Sequence, residues 1–110
     1  VKAALDELIH QPARLRLMAA LTALAEGDSL DFSYLKDFLG LSDGNLGAHL
    51  RRLEEAGYIK VEKAFVDRKP RSFVSASAAG REAYRAHLLA LEEIISAAGV
   101  SRAPAPKKGG

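Results

Sequence analysis

A chain of 110 residues with no cysteine has room for one small domain and excludes disulfides, thiolate metal sites and thiol nucleophiles. With 48% hydrophobic and 27% charged residues it has the composition of a soluble globular protein; no apolar run approaches the roughly 20 residues that span a bilayer, and acids come too early in VKAALDELIHQPAR for a secretory signal, so a cytoplasmic location is expected. The net charge of +2 is uneven, because residues 1–41 hold four basic and six acidic side chains whereas residues 42–73 hold seven basic and five acidic ones.

Leu5, Leu8 and Ile9 make a short helical stripe, which His10-Gln11-Pro12 interrupts because proline is best tolerated in the first turn of a helix. A second helix follows in ARLRLMAALTALAEG, with Leu15, Met18, Leu21, Leu24 and Ala25 in apolar periodicity and Gly27 at its end. Residues 29–32 are a brief extended piece. Ser33 is placed to cap a third helix through Tyr34, Leu35, Phe38 and Leu39, which Gly40 stops. Ser42 is placed to cap a fourth, which runs to about Ala56 with Leu46, Leu50 and Leu53 inward and closes at Gly57.

After Gly57 the period changes to two. Residues 58–66 alternate as a half-exposed strand, Asp67-Arg68-Lys69-Pro70 makes a charged turn, and residues 71–75 return as a second strand. From Ser77 a last helix covers about residues 78–98, with Tyr84, Leu88, Leu91, Ile94 or Ile95, and Ala98 one or two turns apart. A rod of about 30 Å is more than so small a domain can cover, so its second apolar flank, which includes Leu89, requires a partner. Residues 99–110, with Pro104, Pro106, Arg102, Lys107 and Lys108, have no periodicity and are expected to form a flexible basic tail after a domain of residues 1–98.

Two helices joined by Gly40-Leu41-Ser42 and followed by a basic hairpin meet the needs of a DNA-reading unit: one helix braces, the next enters the major groove, and the hairpin tip reaches the backbone or minor groove. On the outward side of the fourth helix, Asn45 can pair with adenine, Arg52 with guanine or a phosphate, and Ser42 can donate to a phosphate near the helix N-terminus. Gly44 and Gly47 are poor helix formers, and a closely approached surface accounts for them better than a plain solvated one. His49 either donates to phosphate or sits at the core edge. Arg68, Lys69 and Arg71 around Pro70 are displayed for phosphate neutralisation or minor-groove insertion, where an ordinary charged hairpin tip is the alternative.

The segment LSDGNLGAHLRRLEEAGYIKVEKAFVDRKPRSFVSASAAG resembles the winged helix-turn-helix transcription factors of the ArsR and MarR type. The matches lie in Leu41 to Leu53, in Glu55-Ala56-Gly57-Tyr58-Ile59, in the basic turn and in Ser77 to Gly80. The resemblance implies a mainly α fold with a small β hairpin, in which the helix from Ser42 is the recognition helix and residues 65–71 are the wing. It also implies dimerisation through the first and last helices, with Leu5, Leu8, Ile9, Leu88, Leu91 and Ile95 at the interface. The cysteine metal motif of metal-sensing ArsR members is absent, so metal sensing does not carry over. Gly47 and Ala48 stand where many relatives have a polar or basic side chain, which makes base readout sparse or dependent on close backbone approach.

No nucleophile, base and orienting group fall together, and there is no Gly-rich phosphate loop or His-Glu metal spacing, so neither catalysis nor a cofactor is expected. A metal site would require folding to gather His10, His49 and His87. The reading is a sequence-specific double-stranded DNA-binding regulator, a homodimeric repressor with room for a small-molecule effector at the dimer seam. The alternative is a winged-helix protein-interaction module with weak or no specific DNA binding.

Overall fold

In the computed structural model, which describes residues 4–99, the elements follow in the order α1 (Pro12–Thr22), β1 (Leu30–Asp31), α2 (Phe32–Leu39), α3 (Asp43–Glu55), β2 (Ile59–Val66), β3 (Lys69–Ala76) and α4 (Ala78–Ala97). The three strands form one antiparallel sheet in the order β1-β3-β2. This is the winged helix-turn-helix arrangement expected from the sequence. The expected tail lies, from residue 100 onward, outside the described residues.

Leu5, Leu8 and Ile9 do not form a helix. A single turn occupies residues 7–9: the Asp6 carboxylate accepts from the Leu8 and Ile9 N–H groups at 2.9 and 3.1 Å, and the His10 N–H donates to the Asp6 carbonyl at 2.7 Å. The aspartate side chain offers these amides a local alternative to helix, and Pro12 starts a new helix instead of extending the turn. The interface expectation changes with it. Ile9 is fully buried in the chain's own core, Leu8 packs partly against that core and Leu5 is half-buried, so Ile9 is not available to a partner.

Helix α1 is capped by Gln11, whose Oε1 accepts from the Arg14 N–H at 2.8 Å. It ends at Thr22 rather than Gly27, and its buried positions are Leu17, Met18 and Leu21. Leu17 escaped the sequence reading because LRLMAALTALA is apolar nearly all round and its periodicity selects no single face. Two guanidinium nitrogens of Arg81 on α4 donate to the carbonyls of Thr22 and Leu24 at 3.2 and 3.0 Å, which satisfies acceptors that the helix end leaves free.

The cap of α2 is Asp31, not Ser33. Its Oδ1 accepts from the N–H groups of Ser33 and Tyr34 at 2.6 and 3.2 Å, because the helix starts two residues earlier than expected. Gly40 then turns the chain with φ of 67°, a left-handed conformation that suits glycine. Ser42 caps α3 as expected, with its Oγ accepting from the Asn45 N–H at 3.1 Å.

The core gathers Leu17, Met18 and Leu21 of α1, Leu35 and Leu39 of α2, Leu46, Leu50 and Leu53 of α3, and Ile59 and Val74 of the sheet. Helix α4 closes it with its small positions. Its buried residues are Gly80, His87 and Ala90, whereas Leu88, Leu89, Ile94 and Ile95 are exposed. Gly80 is required by contact: a Cβ there would lie 1.9 Å from the Tyr58 carbonyl oxygen. Ser77 fastens the same corner, accepting from the Gly80 N–H at 2.9 Å and donating to the Gly57 carbonyl at 2.6 Å.

Candidate nucleic-acid interface

Helices α2 and α3, joined by the left-handed Gly40, present the N-terminal half of α3 to the outside. Ser42, Asp43, Gly44, Asn45, Ala48, Arg51 and Arg52 are exposed, and Gly47 and His49 are half-exposed. The stripe Leu46, Leu50 and Leu53 holds α3 on the core, so the opposite face is free for a ligand. Lys36 of α2 pairs with Asp43 at 3.1 Å, which neutralises the one acid in the first turn of α3.

Neither glycine on that face is required by packing within the chain. A Cβ at Gly44 would meet nothing within 4 Å, and one at Gly47 would meet only Arg51 Nη1 at 3.7 Å. Gly47, inside the helix, costs up to about 1 kcal/mol there, and neither it nor Gly44 in the first turn has a packing reason to be glycine.

His49 is held from behind. Arg14 Nη1 donates to His49 Nδ1 at 3.0 Å while Arg14 Nε donates to the Leu8 carbonyl at 2.5 Å. Burial first, then the positive charges of Arg14 and Arg52, pull the His49 pKa below the ordinary histidine value. The shift favours the neutral ring, and since a guanidinium can only donate, Nδ1 accepts and the proton of that ring sits on Nε2. Of the two alternatives for His49, the structure shows the position at the core edge, where Arg14 braces the ring and Nε2 has no partner among the described residues. Arg14, held in this way, belongs to the fold.

The hairpin is longer and its turn tighter than expected. Only Asp67 and Arg68 form the turn, with φ of 53° and 67°, and Lys69 and Pro70 already belong to β3, paired with Val66 and Phe65. Two successive positive φ values make the two-residue turn whose twist matches a β ribbon. Arg68 and Lys69 are exposed and take part in none of the ion pairs among the described residues. Arg71 differs: its Nη1 lies 3.0 Å from Asp31 Oδ2, so it ties the wing to the start of α2. Sequence reasoning grouped the three cations because it had no way to see that β1 brings Asp31 beside β3.

His10 and His87 do come together, with Nδ1 of His10 3.4 Å from Nε2 of His87, but His49 stays apart on Arg14. Among the described residues no group of three or more His, Cys, Asp or Glu side chains is placed to hold a metal ion. No described helix is long and apolar enough to cross a membrane.

Residues 14–95 match the model of the winged helix DNA-binding domain family, which takes in both helices of the turn, the hairpin and most of α4. The chain belongs to that family. An uncharacterized protein of Methanocaldococcus jannaschii is 29% identical over 82 residues, which are 74% of this chain and 86% of the relative. The transcriptional regulator homologue protein from Pyrococcus horikoshii OT3 is 31% identical and superposes with a TM-score of 0.75, over 84% of this chain and 89% of that one. S. aureus MepR in its DNA complex shares the fold at 16% identity, with a TM-score of 0.68 over 86% of this chain and 74% of MepR. Family and fold are those of DNA-binding transcriptional regulators, as the resemblance to ArsR- and MarR-type proteins implied.

Proposed function

We propose that the protein is a sequence-specific double-stranded DNA-binding repressor that acts as a homodimer in the cytoplasm. The observation that carries the reading is the outer face of α3, where Asn45, Ala48 and Arg52 flank glycines that no internal contact requires. Glycine there lets the helix backbone approach a groove floor closely, and Asn45 and Arg52 are the side chains suited to adenine and guanine edges. Ser42 and the Nε2–H of His49 are placed to donate to phosphates, and Arg68 and Lys69 to neutralise the backbone across the next groove.

Dimerisation is supported by α4, which leaves Leu88, Leu89, Ile94 and Ile95 between 38% and 56% exposed and Leu91 half-exposed. So large an apolar flank on one helix suits a second copy of the same helix better than water. Leu88, Leu91 and Ile95 belong to that seam, joined by Leu89 and Ile94. For a small-molecule effector, a cleft of about 360 Å³ lined by His10, Gln11, Pro12, Leu15 and Arg16 at the start of α1 supplies an apolar wall with a cation and an imidazole.

The test is selection of bound fragments from the source genome, followed by anisotropy across a salt series beside random duplex. Enrichment of one inverted repeat, bound far more tightly than random DNA, is the expected result. Weak, uniform binding without enrichment would replace this reading with the protein-interaction module.

A further inference from the structure

The alternation that buries the sheet runs past the end of the core. On β2 and β3 the facing pairs Ile59↔Ala76, Val61↔Val74, Lys63↔Ser72 and Phe65↔Pro70 all point to the same side. Near the body this side is interior: Ile59 is 4% exposed and Val74 fully buried. At the wing it extends past the core, and Phe65 is 77% exposed, the most open of the large hydrophobic residues described. An aromatic ring on a core-facing register, carried beyond the core, packs against none of the core residues.

The wing is built to hold that ring still. The two-residue turn makes Val66↔Lys69 a hydrogen-bonded pair, so Phe65↔Pro70 is a non-hydrogen-bonded pair, in which side chains approach most closely. Pro70 therefore turns its nitrogen to the open edge of β3, where β1, paired only through Leu30 and Asp31, does not reach. A missing N–H costs nothing there and blunts the edge against another strand. Phe65 thus stands across from a rigid ring one pair before the turn, with the exposed cations of the tip beyond it, Lys69 on the opposite face of the ribbon and Arg68 in the turn itself.

We infer that Phe65, backed by Pro70, is a wedge that enters the minor groove of bound DNA and partly unstacks a base step, while Arg68 and Lys69 hold the flanking phosphates. This rests on the DNA-binding reading and adds a specificity element to it. The partner is duplex DNA because an apolar ring bordered by cations suits the stacked bases between two phosphate rows. The wing then selects sequence through deformability. Pyrimidine–purine steps, which open at least cost, recur at a fixed offset from the bases that α3 reads.

The experiment uses a duplex recovered by genomic selection, with 2-aminopurine placed at successive positions of the flank that the wing reaches. Wild type raises the 2-aminopurine signal at one step, Phe65→Ala abolishes the rise and weakens binding about tenfold, and Phe65→Leu keeps most of both. Phe65 lies outside the core, so circular dichroism and melting of both variants match wild type. Unchanged affinity and an unchanged aminopurine signal in Phe65→Ala overturn the wedge while leaving the DNA reading intact. Failure of the wild type to bind any selected duplex overturns the DNA reading, and the wedge with it.

Discussion

The backbone N–H of Asp6 donates to Nδ1 of His87 at 3.0 Å, joining residues 81 positions apart in the chain. Since Nδ1 accepts, the proton of the neutral ring sits on Nε2 and points at His10 Nδ1, 3.4 Å away. The Asp6 carboxylate meanwhile accepts from Tyr58 Oη at 2.5 Å, a bond that, with burial and the carboxylate's charge, raises the tyrosine pKa. One aspartate thus fastens the N-terminal turn to α4 and to the start of the wing.

This network predicts a pH dependence of stability. Burial first, then the neighbouring His10, pull the His87 pKa below the ordinary histidine value, and Asp6 opposes them only in part. The unfolded chain, with histidine near about 6.5, takes up this proton more readily than the folded one. Stability that is complete above about pH 7 is therefore lost as pH falls through the unfolded value toward the folded one. In His87→Gln this source of pH dependence is removed. The melting-temperature gap between wild type and variant is expected to be constant above pH 7 and to narrow below pH 6; a gap constant from pH 5 to 8 contradicts the assignment.

Gly80→Ala is expected to cost about 3 kcal/mol, because its Cβ would overlap the Tyr58 carbonyl oxygen at 1.9 Å and neither backbone can retreat cheaply. Urea denaturation measures it. A loss under 1 kcal/mol would mean that the junction of β2 and α4 is looser than its contacts indicate.

The Asp6–His87 bond and the Gly80 contact lie beyond what was legible in the sequence. The helix-turn-helix, the wing, the Ser42 and Ser77 caps and the inward stripe of α3 follow from local chemistry: cap residues, glycine stops and periods that a short window reveals. Asp6–His87, Arg14–His49, Arg81 on the end of α1 and Arg71–Asp31 are pairings between distant segments, and no local pattern encodes them. The same limit explains α4. Its leucine and isoleucine periodicity does not reveal the face that meets the body, because close approach there selects Gly80 and Ala90, with His87 bonded between them.

Gly47→Ala separates folding from function. With only Arg51 Nη1 at 3.7 Å from the added Cβ, the variant gains about 1 kcal/mol of helix stability. If α3 approaches the groove floor at this point, the same methyl weakens DNA binding. A variant that melts higher and binds less tightly is the expected outcome, and one that melts higher and binds equally well removes the argument for close approach.

The oligomeric state is testable on α4 without touching the DNA-facing surface. Leu89 and Ile95 are 56% and 52% exposed, so Leu89→Glu and Ile95→Glu leave the core of one chain intact while placing charge in an apolar seam. Sedimentation is expected to show a dimer for wild type and a monomer for the double variant, with helical content unchanged. A monomeric wild type at micromolar concentration would exclude paired half-sites.

The wing and the recognition helix are expected to fail in different ways. Arg68→Ala and Lys69→Ala remove exposed cations that pair with no acid among the described residues, so each should weaken binding to specific and random duplex alike and lower the slope of log K against log salt by about 1. Arg71→Ala should change the slope less, since its charge already faces Asp31 at 3.0 Å. Asn45→Ala loses a base contact instead: about 1–3 kcal/mol on the selected operator, little on random DNA, and relaxed preference at one position. Equal losses on both duplexes for Asn45→Ala would move that residue from base readout to the phosphate backbone.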